Sequence, residues 1–213
     1  MLRRRKNKAE EEGIQADESA APEALRIRAA GPWDFAEKSV EDDPTYLDLG
    51  SLVIHGRTGI NISMPTDGDS DTTGAVVMLT DDAGLEMRAF ASTRSGGLWD
   101  EVRAELLDDI ERRQGESVVI EGLFGTELQV KLPVTLADGE AGVQPSRIIG
   151  VEGPRWFLRA TFLGKAALEP SDEGLLMDCF RDTIVKRGSG PMVPGAPLVL
   201  TVPRGPVVAD EDD

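Results

Sequence analysis

Pairs of strand-like segments, joined by short turns that contain glycine, recur through the middle of the chain and constrain its fold more than any other feature. Each segment is rich in apolar and β-branched residues, and each connection is too short for a crossover helix. The pairs are residues 50–54 with 60–64, 74–80 with 85–92, 117–122 with 127–133, and 147–153 with 155–164, and a last strand follows at 197–202. Strands joined in this way pair antiparallel, so the pattern predicts an antiparallel sheet.

Two amphipathic helices interrupt the series of strands. Residues 98–113 carry apolar side chains at every fourth position, and Gly115 follows as a stop. Residues 171–188 show a second apolar helical face, which includes Cys179. Hairpins that alternate with helices in this order predict an α+β fold, in which one curved antiparallel sheet of about seven to nine strands packs against the two helices.

The two ends of the chain differ in composition from its middle. Residues 1–30 are rich in Ala, Glu, Arg and Lys, which predicts a disordered N-terminal tail. Residues 205–213 close with four acids in the last five positions, which predicts an acidic, mobile C-terminal tail. Between the tails, residues 31–204 are expected to form a single α+β domain.

The formal net charge of −16 is unevenly distributed. The first eight residues hold five of the 23 basic groups, so the rest of the chain has 18 basic groups against 39 acidic ones. A body with this balance repels a phosphate backbone, and we expect it not to bind nucleic acid. The basic N-terminus is compatible with two roles. One is a weak contact with an anionic membrane surface, and the other is a nucleic-acid accessory function.

The chain has a single cysteine, Cys179, and a single histidine, His55, which limits its chemistry. An internal disulfide is impossible, and a Cys/His metal cluster cannot be built, so we expect no metal, no cofactor and no catalytic residue. No apolar run approaches the roughly 18–20 residues of a transmembrane segment, and the N-terminus lacks the apolar core of a secretory signal. These features predict a cytoplasmic protein.

The segment TRSGGLW, residues 93–99, is the strongest candidate for a site. It lacks the patterns of a phosphate-binding loop and of a nucleophile elbow. The favoured interpretation is a helix start that Ser95 caps. A second interpretation adds an exposed site for an anion or a partner, because a helix N-terminus presents free N–H groups and Arg94 is adjacent.

Aromatic residues add a second segment, the hairpin of residues 147–164, to the candidate residues. Trp156 and Phe157 must point to opposite faces of their strand, so one of them is exposed unless both faces of the sheet are covered. The residues predicted to bind a partner or an anion are Arg94, Ser95, Gly96, Gly97, Trp99, Arg155 and Trp156.

Several stretches of the body resemble the actinobacterial family of domain of unknown function 3710. They are GPWD (31–34), LDLGSL (47–52), FASTRSGGLWDEV (90–102), GVEGPRWFLRA (150–160) and CFRDTIVKRGSGPM (179–192), and the similarity covers about residues 31–203. The resemblance implies an actinobacterial, cytoplasmic protein and carries over no catalytic residue. At the level of fold, the order of hairpins and helices is similar to PsbP-like sandwiches, which are mostly binding or assembly modules.

Three functions follow from these observations. The first is a non-enzymatic protein-binding or adaptor module with an unknown protein partner. The second is a hydrolase or transferase that acts on a small anionic substrate at the 93–99 loop, and the third is a nucleic-acid accessory factor that uses the basic N-terminus. If SGGLW, residues 95–99, borders a concave pocket with convergent polar groups, the enzyme is favoured, whereas a flat surface with exposed aromatic residues there would favour the binding module.

Overall fold

The structure is a computed structural model that describes residues 28–41, 43–66 and 71–203. The strands are, in chain order, β1 (Trp33–Asp34), β2 (Tyr46–Asp48), β3 (Leu52–His55), β4 (Asn61–Ser63), β5 (Thr72–Thr73), β6 (Val76–Leu79), β7 (Ala83–Ala91), β8 (Glu116–Gly122), β9 (Gly125–Thr135), β10 (Ala141–Gly153), β11 (Trp156–Gly164), β12 (Ile184–Val185) and β13 (Leu200–Thr201). The helices are α1 (Leu98–Arg112), α2 (Lys165–Leu168) and α3 (Leu175–Asp182).

A seven-stranded antiparallel sheet forms the centre of the fold, with the strand order β4-β6-β7-β11-β10-β9-β8. A four-stranded sheet, β1-β12-β3-β2, and the strand pair β13-β5 accompany it. The predicted α+β class with an antiparallel sheet is therefore confirmed. The strands divide among separate sheets, however, and do not form the single sheet that the sequence pattern predicted.

Three of the predicted hairpins are confirmed, namely β6–β7, β8–β9 and β10–β11. The predicted pairing of residues 50–54 with 60–64 is wrong, because β3 pairs with β2 and β12 whereas β4 pairs with β6. The physical reason is burial. The first three residues of β3 are buried, but β4 has an exposed–intermediate–exposed pattern at the edge of the main sheet.

The second predicted helix ends earlier than expected. The helix α3 stops at Asp182, Thr183 is extended with ψ 135°, and the next two residues form β12 between β1 and β3. Thr183, Ile184 and Val185 are consecutive β-branched residues, which favour a strand over a helix. The prediction of a helix through residue 187 is therefore wrong.

Both faces of the main sheet are covered at β11, so neither aromatic residue at the start of this strand is exposed. On one face, Trp156 belongs to the large core between the main sheet, the four-stranded sheet and α3. On the other face, Phe157 belongs to a smaller core under α1. The two side chains are both 0% exposed, which is the exception that the alternating pattern allowed.

The predicted tails, residues 1–30 and 205–213, lie outside the described residues except for residues 28–30. Arg28 is 5% exposed and donates two hydrogen bonds to the Glu37 carboxylate, at 2.8 and 2.9 Å. The folded part of the chain therefore includes Arg28.

The helix α1 lies against the main sheet through Trp99, whose indole occupies the space above Gly150 on β10. A methyl group at position 150 would overlap the six-membered ring of Trp99. Trp99 also stacks on Phe157 with a centroid distance of 5.7 Å. The absence of a side chain at Gly150 is thus what allows α1 to approach the sheet so closely.

We expect Gly150→Ala to lower the free energy of unfolding by about 1–3 kcal/mol, because overpacking displaces Trp99 and α1 with it. Gly190→Ala is the matched control, since a Cβ there meets no atom within 4 Å and should change stability little. Urea denaturation of both variants measures the difference. Equal midpoints for Gly150→Ala and the unmodified protein would contradict this account of helix docking.

Candidate functional site

The tight turn between β10 and β11, residues 154–155, brings several of the predicted site residues together. Arg155 has a left-handed backbone with φ 63°, a conformation that a residue other than glycine adopts only at a cost. Its carbonyl accepts a hydrogen bond from the Ser92 N–H at 2.8 Å, which ties the segment before α1 to the turn. The turn and the TRSGGLW segment therefore lie side by side.

Glu152, at the end of β10, caps the helix α1. Its two carboxylate oxygens accept hydrogen bonds from the Gly97 N–H at 2.9 Å and from the Leu98 N–H at 2.8 Å. Gly96 and Gly97 have φ values of 70° and 93°, and this left-handed backbone turns their amides towards the carboxylate. The carboxylate also lies at the positive end of the helix dipole, where a negative charge is favourable.

The predicted cap by Ser95 is wrong. The N-cap position is Gly97, two residues later, and Gly97 offers no side chain. The Ser95 hydroxyl instead pairs with the Thr93 hydroxyl at 3.0 Å. Because Glu152 already binds the first free N–H groups of α1, an anion at this helix start would have to displace it.

We expect Glu152→Ala to lower the free energy of unfolding by about 1.5–3 kcal/mol, because two charge-assisted hydrogen bonds at the start of α1 are lost. Ser95→Ala should change it by less than about 0.5 kcal/mol, because an exposed hydroxyl that caps nothing contributes little. Chemical denaturation of both variants checks the pair. A larger loss for Ser95→Ala than for Glu152→Ala would contradict the assignment of the cap.

Trp99 and Trp156 are part of the core and are not available to a partner. Trp99 is 7% exposed, and its indole N–H donates to the Thr126 carbonyl at 2.8 Å. Trp156 is 0% exposed, and its indole N–H donates to Asp34 Oδ2 at 2.7 Å. The prediction that these two side chains contact a partner needs correction, since each buries its ring and satisfies its one donor internally.

A cleft beside the β10–β11 turn contains several cationic side chains. We call it the basic cleft, and it is defined by Phe35, Arg155, Lys186, Arg187 and Gly188. Its volume is 480 Å³, and Val185 and Pro154 add apolar surface to its walls. The Phe35 ring is 45% exposed, and the Lys186 ammonium lies 4.9 Å from its centroid. The cleft thus combines cations with an exposed aromatic ring.

Two of these cations lack a carboxylate partner within the described part of the chain. Arg155 Nη2 and Arg187 Nη1 both donate to the Gly188 carbonyl, at 3.4 and 3.3 Å. Arg187 also donates to the Gly190 carbonyl, while its Nε is buried without an acceptor among the described residues. Lys186, in contrast, is paired with Asp48 at 2.7 Å. Two guanidinium groups therefore converge on one neutral oxygen.

Of the predicted site residues, Arg155 alone lines the basic cleft. Arg94 is exposed in the loop beside the turn and forms no ion pair with the described residues. Phe35, Lys186 and Arg187 were missed as site residues. Lys186 and Arg187 are adjacent basic residues in an otherwise acidic body, and this pattern could have indicated a site. The sequence pattern was instead interpreted as the end of a helix.

A second polar cluster, centred on Asp182, joins residues that are distant in the sequence. Its carboxylate accepts hydrogen bonds from Lys38 at 3.1 Å and from Arg57, and it contacts His55 Nδ1 at 3.1 Å. The His55 ring stacks on Tyr46 with a centroid distance of 4.6 Å. Among the described residues, Ser95 forms no hydrogen bond with His55, and its hydroxyl pairs with that of Thr93.

The surroundings of the Asp182 carboxyl and of the Cys179 thiol shift the pKa values of both groups. Burial opposes ionisation of Asp182, but the hydrogen bonds from His55, Arg57 and Lys38 outweigh it and lower the pKa of the carboxyl below 3.8. Burial raises the pKa of the Cys179 thiol to about 11. The thiol is 0% exposed and stays protonated at neutral pH, so it packs as a small apolar group.

The lowered pKa of Asp182 makes its contribution to stability depend on pH. The ionised carboxyl stabilises the fold above its ordinary pKa of 3.8, and this contribution is lost as the pH falls through the lower folded-state pKa. We expect Asp182→Asn to be less stable than the unmodified protein at pH 7, by about 1 kcal/mol or more. Thermal midpoints across pH 2–7 should show the two proteins converging below about pH 4. A difference that stays constant over this range would contradict the role of the ionised carboxyl.

Another cavity, of 360 Å³, lies between the β6–β7 turn, α2 and the start of α3. Its one cationic side chain, Lys165, lies 3.6 Å from the Asp82 carboxylate, and Glu169 and Glu173 add negative charge. Because its cation is already paired, this cavity is a weaker candidate for an anion than the basic cleft. No group of three His, Cys, Asp or Glu side chains in the described stretches is arranged to hold a metal ion.

The fold and the cleft define an α+β domain in which the central strands of an antiparallel sheet are covered on both faces and a cationic groove lies beside the β10–β11 turn. A comparison with known protein families identifies the family of this domain. A family model described as "Protein of unknown function (DUF3710)" matches residues 31–208, and the chain belongs to this family. No helix in the described ranges is long and apolar enough to cross a membrane.

The comparison with curated proteins gives no match. A crystal structure from Bacteroides thetaiotaomicron VPI-5482 is similar at 14% sequence identity and a TM-score of 0.40. The similarity covers 66% of this chain and 47% of that one, so the chain spans about half the length of that protein. At these values the similarity supports no conclusion about function.

Proposed function

We propose that the protein is a non-enzymatic binding module, and that the basic cleft recognises an acidic segment of a protein partner. The observation that carries the proposal is the convergence of Arg155 and Arg187 on the Gly188 carbonyl without a carboxylate partner in the described part of the chain. In a chain with a net charge of −16, acidic groups outnumber basic ones, yet no described carboxylate forms an ion pair with these two arginines. Asp34 also lines the cleft, but its carboxylate accepts hydrogen bonds from the Ala36 N–H and the Trp156 indole N–H.

A carboxylate fits this arrangement chemically. Guanidinium groups form charge-assisted hydrogen bonds with carboxylates, and these are about twice as strong as neutral ones. The Gly188 carbonyl supplies no negative charge, so an incoming carboxylate would provide what the two arginines lack. The left-handed backbone of Arg155 supports a binding role, because strained positions occupied by residues other than glycine concentrate at functional sites.

The exposed ring of Phe35 favours a protein segment over a small free anion. Aromatic and arginine side chains are the residue types that contribute most to binding energy at protein interfaces. Phe35 lies beside Lys186 at one wall of the cleft, and the 480 Å³ volume accommodates several side chains. A segment that alternates acidic and apolar residues would use both features. We also propose that the protein acts in the cytoplasm, which a single, buried, protonated thiol supports.

Fluorescence anisotropy with a labelled peptide in which Glu alternates with Leu tests the proposal. We expect saturable binding, and we expect Arg155→Gly and Arg187→Ala each to weaken it by about tenfold or more, because each removes a charge-assisted contact. Glycine at position 155 removes the side chain without adding strain at its positive φ. Affinity capture from the native lysate, followed by mass spectrometry, then identifies the natural partner.

Two controls make the result specific to the cleft. A peptide with Gln in place of Glu should bind much more weakly than the acidic one. Arg113→Ala removes an exposed arginine that follows α1 and should leave binding unchanged. The guanidinium of Arg113 lies 3.7 Å from the Asp109 carboxylate, away from the basic cleft. Equal affinity for the two peptides, or equal loss in all three arginine variants, would contradict the proposal.

A further inference from the structure

The strand β8 forms one edge of the main sheet and remains open for pairing. It is seven residues long, and no described strand pairs with its outer side. The side chains of Val118 and Val119 are 58% and 50% exposed. An open edge with exposed apolar side chains is a template for pairing with another chain.

The two edges of the sheet differ in how they are protected. The opposite edge, β4, has only three residues, Asn61–Ser63, and a short polar edge is a poor template. The sequence of β8, ESVVIEG, contains no Pro and no Lys. Its register with β9 runs residue for residue from Glu116↔Lys131 to Gly122↔Gly125, without a bulge. Three common devices that block edge pairing, namely Pro, Lys and a bulge, are therefore missing from β8, and its two charged residues, Glu116 and Glu121, lie near its ends.

We propose that β8 is a dimerisation edge, at which two copies of the chain join their main sheets by antiparallel pairing of β8 with itself about Val119. A two-fold axis perpendicular to the sheet produces this pairing and keeps the α1 layers of both copies on the same face. The surface is then self-complementary, as an isologous interface requires.

The residue types in β8 select this register. About Val119, each Val118 faces Ile120 of the second copy, Glu121 faces Ser117, and Glu116 faces Gly122. All seven residues then pair, apolar side chains meet in the middle, and no two acids face each other. A shift of the centre to Val118 or Ile120 would shorten the overlap and place a glutamate opposite an apolar residue. The charge pattern thus fits a second copy in one register.

This interface uses none of the residues of the basic cleft, so it is independent of the proposed binding function. Sedimentation velocity of the full chain from about 1 μM to about 1 mM measures it directly. We expect a reversible shift from one chain to two as the concentration rises. A protein that stays monomeric over the whole range would overturn the proposal.

Substitutions of the exposed Ser117 test the register itself. Ser117→Lys places a lysine opposite Glu121 of the second copy at two symmetric positions, and should tighten the dimer by about 2- to 30-fold. Ser117→Glu places two acids opposite each other and should weaken it by a similar factor. Thermal unfolding of both variants confirms that each one is folded.

The same substitutions at Ser63, exposed on β4, are the matched control for net charge. Ser63→Lys and Ser63→Glu change the total charge equally but lie on the opposite edge, so they should leave the dimer constant unchanged. A dimer whose stability responds equally at both edges, or does not respond to Ser117 at all, would show that β8 is not the interface.

Discussion

The turn between β10 and β11 is the constraint on which the arrangement of the layers depends. Glu152 binds the start of α1 on one face of the main sheet. Trp156, four residues later, donates a hydrogen bond to Asp34 on β1 of the four-stranded sheet on the other face. Between them, Arg155 contacts the Gly188 carbonyl after β12 and the Ser92 amide before α1. One rigid hairpin end therefore fixes the layers relative to each other, and the basic cleft forms where they meet.

A buried ion pair holds the third helix in place from inside the main sheet. Arg147 and Glu127 are 4% and 0% exposed and are joined by hydrogen bonds of 2.6 and 3.0 Å. The same guanidinium reaches the Ser171 carbonyl and Asp172, so it anchors the segment that leads into α3. A buried pair of this kind adds little net stability, because both charges lose their hydration. Its effect is positional, since it fixes the segment that leads into α3, whose Phe180 and Cys179 belong to the core.

The sequence predicts local pairing well and long-range placement poorly, and particular residues show why. The hairpins β6–β7, β8–β9 and β10–β11 were predictable because alternating apolar residues flank a short turn. The separation of β3 and β4 into different sheets was not predictable. Both segments have the sequence pattern of a strand, and only tertiary packing determines which sheet each one joins. The Glu152 cap joins residues 54 and 55 positions apart, so no local pattern signals it. At the candidate site, Arg155 was found beside a turn, whereas Arg187 was hidden by a helical interpretation of a β-branched run.

The net charge and the basic cleft act over different distances. The charge of −16 repels an acidic partner as a whole, but salt screens this repulsion beyond about 8–10 Å. Arg155 and Arg187, which have no carboxylate partner among the described residues, act within the cleft itself, where a carboxylate would be partly shielded from water. An acidic segment therefore gains little from long-range attraction and must rely on contacts made after docking. This favours a partner that adds apolar contact with Phe35 to its carboxylates, because charge alone would not distinguish the cleft from its repulsive surroundings.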